Sequence, residues 1–483
     1  MRARLKGLIA SVATLALVAP ARADTLQEAL AKAYQTNPTL SAARAQQRAT
    51  DETVALQLAD ARPSASVDGS YSENVLAPAN AFIFPSRQLA GTLSMNVPIY
   101  NGGAIRNGIK AADRRVAAGA EQLRGTESTI FSQVVAAYND VIRDRSVVEL
   151  NRANVRQLET NLQATRDRFE VGDLTRTDVA QSEARLSLAQ GDLRTAEANL
   201  IASRERYIQL VGDVPGELAP PPPLPNLPDD PEQAIAVALR ENPDLAAAER
   251  NQEAARFEVQ VARASTAPRV SAFGRGDYSN ALGTATSPQL PVQPAQQQSQ
   301  ASIGLQATIP IYQGGRPAAQ VRQATARQSQ ALEQVIEVER NIVQQVRAAY
   351  ASYRSALEVI EAAQAAVSAN RLSLEGVRAE NSVGNRTIIE VLNAEQELLN
   401  AQVQLVTAKR NAYVAGFTLL AAMGKAEARD LDLEGVTLYD PAANYGRIRR
   451  KIWDIDTSVD PVPVATRTVD TPSQNPETVP LPN

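Results

Sequence analysis

The sequence PIYNGG at residues 98–103 returns as PIYQGG at residues 310–315, 212 positions further along the chain. In both places an alternating polar and apolar run precedes the motif, and a long Ala- and Gln-rich segment follows it. The pairs that share this offset, or an offset of 205 upstream of the motif, include Val171-Gly172 with Val383-Gly384, Gly212 with Gly424, and Asn37-Pro38 with Asn242-Pro243. The chain is therefore an internal duplication.

Each copy of the duplicated unit reads as helix, strand, loop, strand, long helix, turn and helix. The stretch between the copies contains APPPPLP, which predicts a stiff, extended connector without helix. The expected organisation is a signal peptide at residues 1–23, a first repeat at 24–214, a Pro-rich linker at 215–231, a second repeat at 232–425, and a C-terminal extension at 426–483 that is disordered from about residue 459.

The N-terminal 23 residues contain basic residues near the start, an apolar run from Leu8 to Ala19, and a small-residue cleavage motif, Ala21-Arg22-Ala23. This pattern is typical of a secretory signal peptide. Its removal takes four basic residues and leaves 45 Lys and Arg against 53 Asp and Glu, a net charge of about −8. Such a charge argues against nucleic acid as a partner.

The sequence contains no His and no Cys. Thiol nucleophiles, disulfides, the usual zinc sites and the commonest general base are therefore excluded, and no cofactor or metal is expected. The missing Cys also means that no acylated cysteine is expected behind the signal peptide. The acidic residues are scattered along helix faces rather than gathered in one cleft, so an enzyme is disfavoured.

The run before each PIYxGG motif alternates with a period of two residues, as a β-strand does. Leu89, Leu93 and Met95 fall on one face of the first such run, and Gln88 and Thr92 fall on the other. Four such strands of about 10 to 13 residues are expected. A soluble sheet with one wet face gives the same alternation, but the lengths match the ~9–11 residues that a membrane-spanning strand needs.

Four strands cannot close a sheet inside a bilayer, because a barrel that side chains can fill needs about eight. The chain is therefore expected to pool its strands with other copies of itself. Two copies would give eight strands and a plugged interior, whereas three would give twelve and begin to leave a lumen. The sequence does not decide between two and three copies.

Two very long helices follow the motifs. Neither the stretch from Ala104 to about Phe169 nor the one from just after Pro317 to about Asn381 contains proline, and about 65 helical residues span roughly 100 Å. Apolar residues such as Ile130, Val134 and Val141 recur at spacings of three and four on a narrow stripe, which indicates coiled-coil packing in a fibre or a hollow cylinder wall. The repeated tyrosines at 138 and 350 are expected to be packing residues.

Each long helix is predicted to end in a tight turn and run back as a hairpin. Gly172-Asp173 and Gly384-Asn385 place glycine where a helix C-terminus favours a left-handed residue. Thr175 to Asp178, and Thr387 to Glu390, then read as capping boxes for the return helices. Both hairpin tips should point away from the strands.

Taken together, the PIYxGG entries, the duplication and the VGNRT tip followed by an acid resemble the TolC family of outer-membrane export ducts, from Asp24 to about Gly424. The resemblance implies a mixed fold: a membrane β-barrel of twelve strands, four from each chain of a homotrimer, continued by a long α-helical coiled-coil barrel across the periplasm. It also implies that Pro98, Gly102, Gly103, Pro310, Gly314 and Gly315 form the strand-to-helix hinge, with the prolines ending the ladder.

The resemblance further implies a place in the outer membrane of a Gram-negative bacterium, in contact with outer-membrane lipid and extending into the periplasm. The implied partners are an inner-membrane ABC or RND transporter and a periplasmic membrane-fusion (adaptor) protein. The duct would serve type I protein secretion, multidrug efflux or both. A soluble periplasmic coiled-coil scaffold or adaptor is the alternative function.

In this family the hairpin tips close the periplasmic mouth, and the matching residues here are Thr177, Asp178, Arg386 and Glu390. An Arg on one hairpin paired with Asp or a Thr oxygen on the neighbouring hairpin would form a latch. The positions of Asp178 and Glu390 are also explained by helix capping alone. Asn381 and Asn393 stand where family members carry an aromatic residue and a second acid, so a looser, less acidic closure is expected.

The tail after Gly424 contains the only tryptophan of the chain, Trp453, within the segment GRIRRKIWDID. The sequence favours neither a wrap around the cylinder nor a contact with a partner for this segment.

Overall fold

The computed structural model describes residues 24–76, 84–225, 227–285, 291–431, 433, 436–457 and 461–477. The predicted signal peptide and part of each loop between paired strands lie outside these residues. Within the described ranges, no helix has the length and apolar character needed to cross a bilayer.

The elements follow the same order in both repeats. The first repeat contains α1 (Leu26–Thr36), α2 (Pro38–Ala59), β1 (Ser64–Glu73), β2 (Arg87–Tyr100), α3 (Ala104–Glu170) and α4 (Arg176–Val211). The second contains α5 (Pro231–Glu241), α6 (Pro243–Arg263) with a short 3-10 turn after it, β3 (Arg269–Asn280), β4 (Gln297–Thr308), α7 (Arg316–Ser382) and α8 (Ile388–Ala422). A short helix, α9 (Pro441–Ile448), follows the second repeat.

The single helix predicted at the start of each repeat is wrong, because the structure has two. Asn37 lies between α1 and α2 in an extended conformation, φ −66° and ψ 125°, which a residue before proline favours. Its side chain accepts hydrogen bonds from the amides of Thr39 and Leu40. Asn242 does the same between α5 and α6. The side chains of Thr25 and Asp230 cap the N-termini of α1 and α5.

The four strands form one antiparallel sheet in the order β1-β2-β3-β4. The register places Ala65 opposite Met95, Leu93 opposite Gly276, and Gly274 opposite Ile303, so the apolar positions share one face of the whole sheet. This confirms the predicted alternation. None of the described residues covers the apolar face, since Val67 is 77% and Ile303 91% exposed.

The strand-to-helix junctions differ between the repeats. β4 ends two residues before Pro310, as expected, but β2 continues through Pro98, which lies opposite Ser271. The prediction that Pro98 ends the ladder is therefore wrong. The ladder is irregular between Pro98 and Tyr100, and such an irregularity is where a strand tolerates a residue without an amide hydrogen.

The paired glycines of both motifs adopt positive φ angles: 63° and 83° at Gly102 and Gly103, and 60° and 81° at Gly314 and Gly315. Residues with a side chain rarely adopt this conformation. A Cβ on Gly102 would also lie only 2.3 Å from the Cβ of Ala267. Glycine therefore lets a strand turn directly into a long helix at these points.

Helices α3 and α7 each contain 67 residues, which confirms the predicted long helices and gives each a length of roughly 100 Å. Each packs antiparallel to its return helix, α4 or α8, and α3 also contacts α2, α6 and α8. The largest hydrophobic core lies around α3 and includes the fully buried Phe131, Val134, Tyr138 and Leu200.

The segments outside the repeats lie against this core. Asp24 and Leu218 form an isolated parallel bridge, so the start of the described chain pairs with the linker. Residues 461–477 contain no helix or strand, but carbonyl oxygens of Asn475 and Pro476 accept hydrogen bonds from Arg204 and Arg152. Backbone acceptors of this Pro-rich segment thus bind side chains of α3 and α4.

Candidate functional site

The first hairpin tip joins α3 to α4 through Gly172, whose φ is 83°. The Asp178 carboxylate accepts hydrogen bonds from the Thr175 amide at 2.9 Å and from the Thr175 hydroxyl at 2.7 Å. These bonds lower the pKa of Asp178. Arg168 pairs with Asp173 across the turn at 3.1 Å. Thr177 is exposed at the start of α4. The predicted capping box is confirmed, and Asp178 is a capping residue.

The second tip repeats this design with one addition. Gly384 has a φ of 82°, and Glu390 accepts hydrogen bonds from the Thr387 amide and hydroxyl at 2.9 and 3.0 Å. In addition, the Arg386 guanidinium binds Glu380 and Glu390, each at 2.6 Å. The Thr387 amide, followed by Arg386, lowers the pKa of Glu390 to about 2. The two carboxylates raise the pKa of Arg386.

The structure therefore brings together two of the four predicted gate residues, Arg386 and Glu390, and it does so within one hairpin. The predicted latch from Arg386 to the neighbouring hairpin is not formed within the chain. The reason is spacing: Glu390 lies one helical turn beyond Arg386, and Glu380 faces it across the tight turn. Asn381, which donates to the Arg386 carbonyl at 2.7 Å, fixes the same turn.

The contacts between the two hairpins lie further from the tips, and they include Asn393 together with residues to which the sequence did not point. The buried Glu395 carboxylate on α8 accepts hydrogen bonds from Asn161 on α3 at 2.9 and 3.0 Å and from Arg378 on α7 at 2.7 Å. Arg185 on α4 donates to Asn393 on α8 at 2.6 Å. Asn393 therefore holds the two hairpins together.

The internal duplication of the sequence indicates part of this set of contacts around Glu395. Arg166 and Glu183 form an ion pair across the first hairpin at 2.7 Å, and Arg378 and Glu395 form the equivalent pair across the second, also at 2.7 Å. Both pairs are 17 residues apart and related by the repeat offset. The repeated Arg and Glu predict the pair, although they do not predict that only Glu395 is covered by the other hairpin.

The chemistry of the tips is that of fixed charges. Glu390 is held ionised far below neutral pH, and its cation partner lies in an exposed loop. Among the described residues, no group of three or more His, Cys, Asp or Glu side chains could hold a metal ion. The arrangement can therefore attract, repel or pair with charges at the end of the hairpins.

Three comparisons with known proteins agree with this geometry. The family model "Outer membrane efflux protein" matches residues 29–213 and 234–425. The chain is 34% identical to outer membrane efflux protein BepC of Brucella suis over 440 residues, which cover 90% of this chain and 93% of BepC. It is 29% identical to alkaline protease secretion protein AprF of Pseudomonas aeruginosa, over 78% of this chain and 76% of AprF.

Among solved structures, the Campylobacter jejuni CmeC outer membrane channel superposes with a TM-score of 0.73 at 16% identity and covers 88% of this chain and 89% of that one. This likeness shows the fold. The matched family model spans both repeats of the chain, and BepC is similar along nearly its whole length. The chain therefore belongs to the outer membrane efflux protein family, the TolC-like channels of Gram-negative outer membranes.

Proposed function

We propose that three copies of this chain form a passive duct, with twelve strands closed into a barrel in the outer membrane and the α3/α4 and α7/α8 hairpins forming a cylinder across the periplasm. The observation that carries this proposal is the four-stranded sheet with two open edges and an uncovered apolar face.

The open edges explain why copies must combine. In the described part of the chain, β1 pairs only with β2, and β4 pairs only with β3. Unpaired backbone amides and carbonyls cost several kcal/mol each in hydrocarbon, so a membrane sheet has to close. Since about eight strands make the smallest filled barrel, a lumen needs more than two copies.

A soluble periplasmic scaffold or adaptor is not favoured. It would have to leave the apolar side chains of four strands in water, including the exposed Val67, Leu93, Ile303 and Leu305. A continuous apolar face of this kind marks a membrane or protein contact rather than a free surface.

The proposed partners are an inner-membrane ABC or RND transporter and its periplasmic adaptor, which would engage the hairpin tips. BepC is named for efflux and AprF for protease secretion, so the relatives support both kinds of cargo. Deleting the gene and measuring both secreted proteins and dye accumulation distinguishes the two roles. Loss of neither activity would contradict a role as an export duct.

Cysteine cross-linking between β1 and β4 tests the closed barrel, because the chain has no cysteine of its own. Ser70→Cys would be combined in turn with Gln298→Cys, Gln300→Cys and Ser302→Cys. Within one chain the two edge strands lie three strand spacings apart, about 14 Å, which is too far for a disulfide. We expect one combination to give a covalent trimer and the single-cysteine variants to give none. A covalent dimer as the largest product in every combination would contradict the proposal.

We also propose that the hairpin tips close the periplasmic mouth, with Arg386, Glu390, Thr177 and Asp178 facing the opening. The bond between Arg386 and its two own-hairpin carboxylates is exposed to water, so a competing carboxylate or an adaptor can replace it. In planar bilayers, Arg386→Ser should raise the single-channel conductance, whereas Arg166→Ser, which breaks a similar exposed pair further from the tip, should not. Equal conductance in Arg386→Ser and the unmodified channel would remove Arg386 from the gate.

A further inference from the structure

We propose that residues 447–455, called here the anchor segment, bind the anionic headgroups of phospholipids on the periplasmic leaflet of the membrane that contains the sheet. The inference rests on the proposed placement of the sheet in the outer membrane. It assigns a lipid-binding surface to the C-terminal extension, which lies outside the two repeats.

The position of the anchor segment follows first from two hydrogen bonds of α9. Asn444 donates to Asp51 on α2 at 2.7 Å, and the Tyr445 hydroxyl donates to Asp113 on α3 at 2.6 Å. Asp51 lies eight residues before the end of α2, and Asp113 lies nine after the start of α3. At 1.5 Å per residue, the middle of α9, at Asn444 and Tyr445, therefore lies about 12 to 14 Å below the ends of α2 and α3 that adjoin the strands.

From there α9 runs towards the sheet. The four residues from Asn444 to Ile448 rise about 6 Å, and Arg62 then donates to the Lys451 carbonyl at 2.9 Å. Arg62 lies two residues before β1 begins at Ser64. Ile448 is buried against the protein, which fixes the helix in this position. The segment after Lys451 therefore lies close to the periplasmic end of the strands.

The side chains at this level have the chemistry of a membrane interface. Ile452, Trp453 and Ile455 are 62%, 75% and 88% exposed, and Trp is enriched where hydrocarbon meets headgroups. Arg447, Arg449 and Arg450 are also exposed. Residues 447–456 contain four cations and two acids, and one of the acids, Asp456, pairs with Lys451 at 3.2 Å.

Lipid is the occupant that these observations favour. The anchor segment lies near the lower edge of the sheet, where the apolar Ile99 and Tyr100 are also exposed. Its excess of cations complements an anionic leaflet, near which each Lys or Arg favours surface association by about fivefold. An apolar tip beside a cationic stretch is the pattern of an interfacial anchor.

The only tryptophan of the chain is Trp453, so its fluorescence reports on this site alone. The full-length protein would be reconstituted into phosphatidylcholine vesicles with and without phosphatidylglycerol, and the emission quenched with phospholipids brominated at known depths. We expect blue-shifted emission, strongest quenching by bromines near the headgroup, and a larger quenched share when phosphatidylglycerol is present. High salt should reduce the dependence on phosphatidylglycerol.

The double variant Arg449→Gln/Arg450→Gln should lose the phosphatidylglycerol dependence while the channel still conducts. The matched control, Arg156→Gln/Arg371→Gln, removes the same charge from exposed positions far along α3 and α7 and should leave the dependence intact. Emission that acrylamide quenches but brominated lipid does not would place Trp453 in water and overturn the proposal. Emission that neither quenches would place it between protein surfaces, including another subunit or a bound protein, and would also overturn it.

Failure of the proposed outer-membrane duct gives a result that differs from failure of the anchor proposal. If the protein neither floats with the vesicles nor conducts ions, the outer-membrane duct itself is wrong. If it floats and conducts but Trp453 remains unquenched by lipid, only the anchor is wrong.

Discussion

Helices α3 and α7 occupy equivalent places in the two repeats and have the same length, yet their surroundings differ. Helix α3 buries 22 of its 67 residues, whereas α7 buries only five. Helix α3 contacts α2, α4, α6 and α8, whereas α7 packs chiefly on α8, α6 and α5. One copy of the duplicated helix thus forms the core of the chain, and the other lies at its margin.

The exposed surface of α7 also carries apolar side chains. Five apolar side chains of α7 are between 39% and 71% exposed: Leu332, Ile336, Leu357, Val359 and Leu372. At 3.6 residues per turn, four of them, Leu332, Ile336, Leu357 and Leu372, fall on one face of α7. We therefore expect this exposed face of α7 to contact the next subunit of the proposed trimer.

The largest expected effect comes from charging this surface. The double variant Leu332→Glu/Ile336→Glu places two carboxylates, one helical turn apart, in a contact where burial of each native side chain contributes about 1.5–3 kcal/mol. We expect it to prevent trimer formation, as measured by the SDS-resistant band before boiling. The control Gln330→Glu/Gln334→Glu adds the same charges with the same spacing at exposed polar positions and should leave the trimer intact. A stable trimer in the first variant would show that this stretch of α7 faces water.

A second test compares the tyrosines at equivalent positions of α3 and α7. Tyr138 is fully buried, with its hydroxyl 2.6 Å from the Ala219 carbonyl, whereas Tyr350 is half-buried and bonds to the Asp229 carbonyl. Tyr138→Ala should cost about 3–5 kcal/mol and Tyr350→Ala about 1–2 kcal/mol. Thermal midpoints followed by circular dichroism in detergent would measure the difference. Equal losses would contradict the asymmetry between the repeats.

The same comparison shows which features a sequence can predict. Long helices, strand faces, capping boxes and glycine turns depend on local periodicity and backbone conformation, and they appear in the structure at the expected residues. The break between α1 and α2 at Asn37-Pro38 is not evident from the sequence, because Pro38 both prevents α1 from continuing and is the first residue of α2. The continuation of β2 through Pro98 depends on a ladder irregularity opposite β3, which only pairing reveals.

The candidate site was less predictable. Arg386 was expected to pair with a neighbouring hairpin, but two carboxylates of its own hairpin are closer along the chain. Glu395 was not identified because its role depends on which hairpin covers it. Its equivalent in the first repeat, Glu183, has the same sequence spacing to an arginine but remains exposed. Periodicity does not encode such long-range packing.

The pair Glu395 and Glu183 provides a third, smaller effect. Glu395→Ala removes three hydrogen bonds of a buried carboxylate and leaves Asn161 without this acceptor, which should cost about 1–3 kcal/mol. Glu183→Ala breaks an exposed pair and should cost about 0–1 kcal/mol. Hydrogen exchange measured by mass spectrometry should increase around residues 155–165 and 388–400 in the first variant only. Similar exchange in both would mean that the hairpins are not coupled through Glu395.

The smallest expected effect is the pH dependence of the ionised Glu390 at the second hairpin tip. The folded hairpin favours ionised Glu390, whose pKa is about 2 instead of the usual 4.5. Its stabilising contribution is therefore fully present above pH 4.5 and is lost as the pH falls towards 2. A ring of Glu390 carboxylates at the proposed mouth should favour cations, and this preference, measured by reversal potentials, should persist down to about pH 3. In Arg386→Ser it should fade at a higher pH, because the loss of the cation raises the Glu390 pKa. Glu390→Gln should show no such titration, and an identical profile in all three channels would contradict the assignment.

The central claim is that three chains share one wall, because no single chain closes its own sheet. Native mass spectrometry of the detergent-solubilised full-length protein tests this most directly. The account predicts a complex of three copies that needs detergent to remain in solution. A single copy that stays monodisperse in detergent-free buffer, with its strands protected from hydrogen exchange, would contradict it.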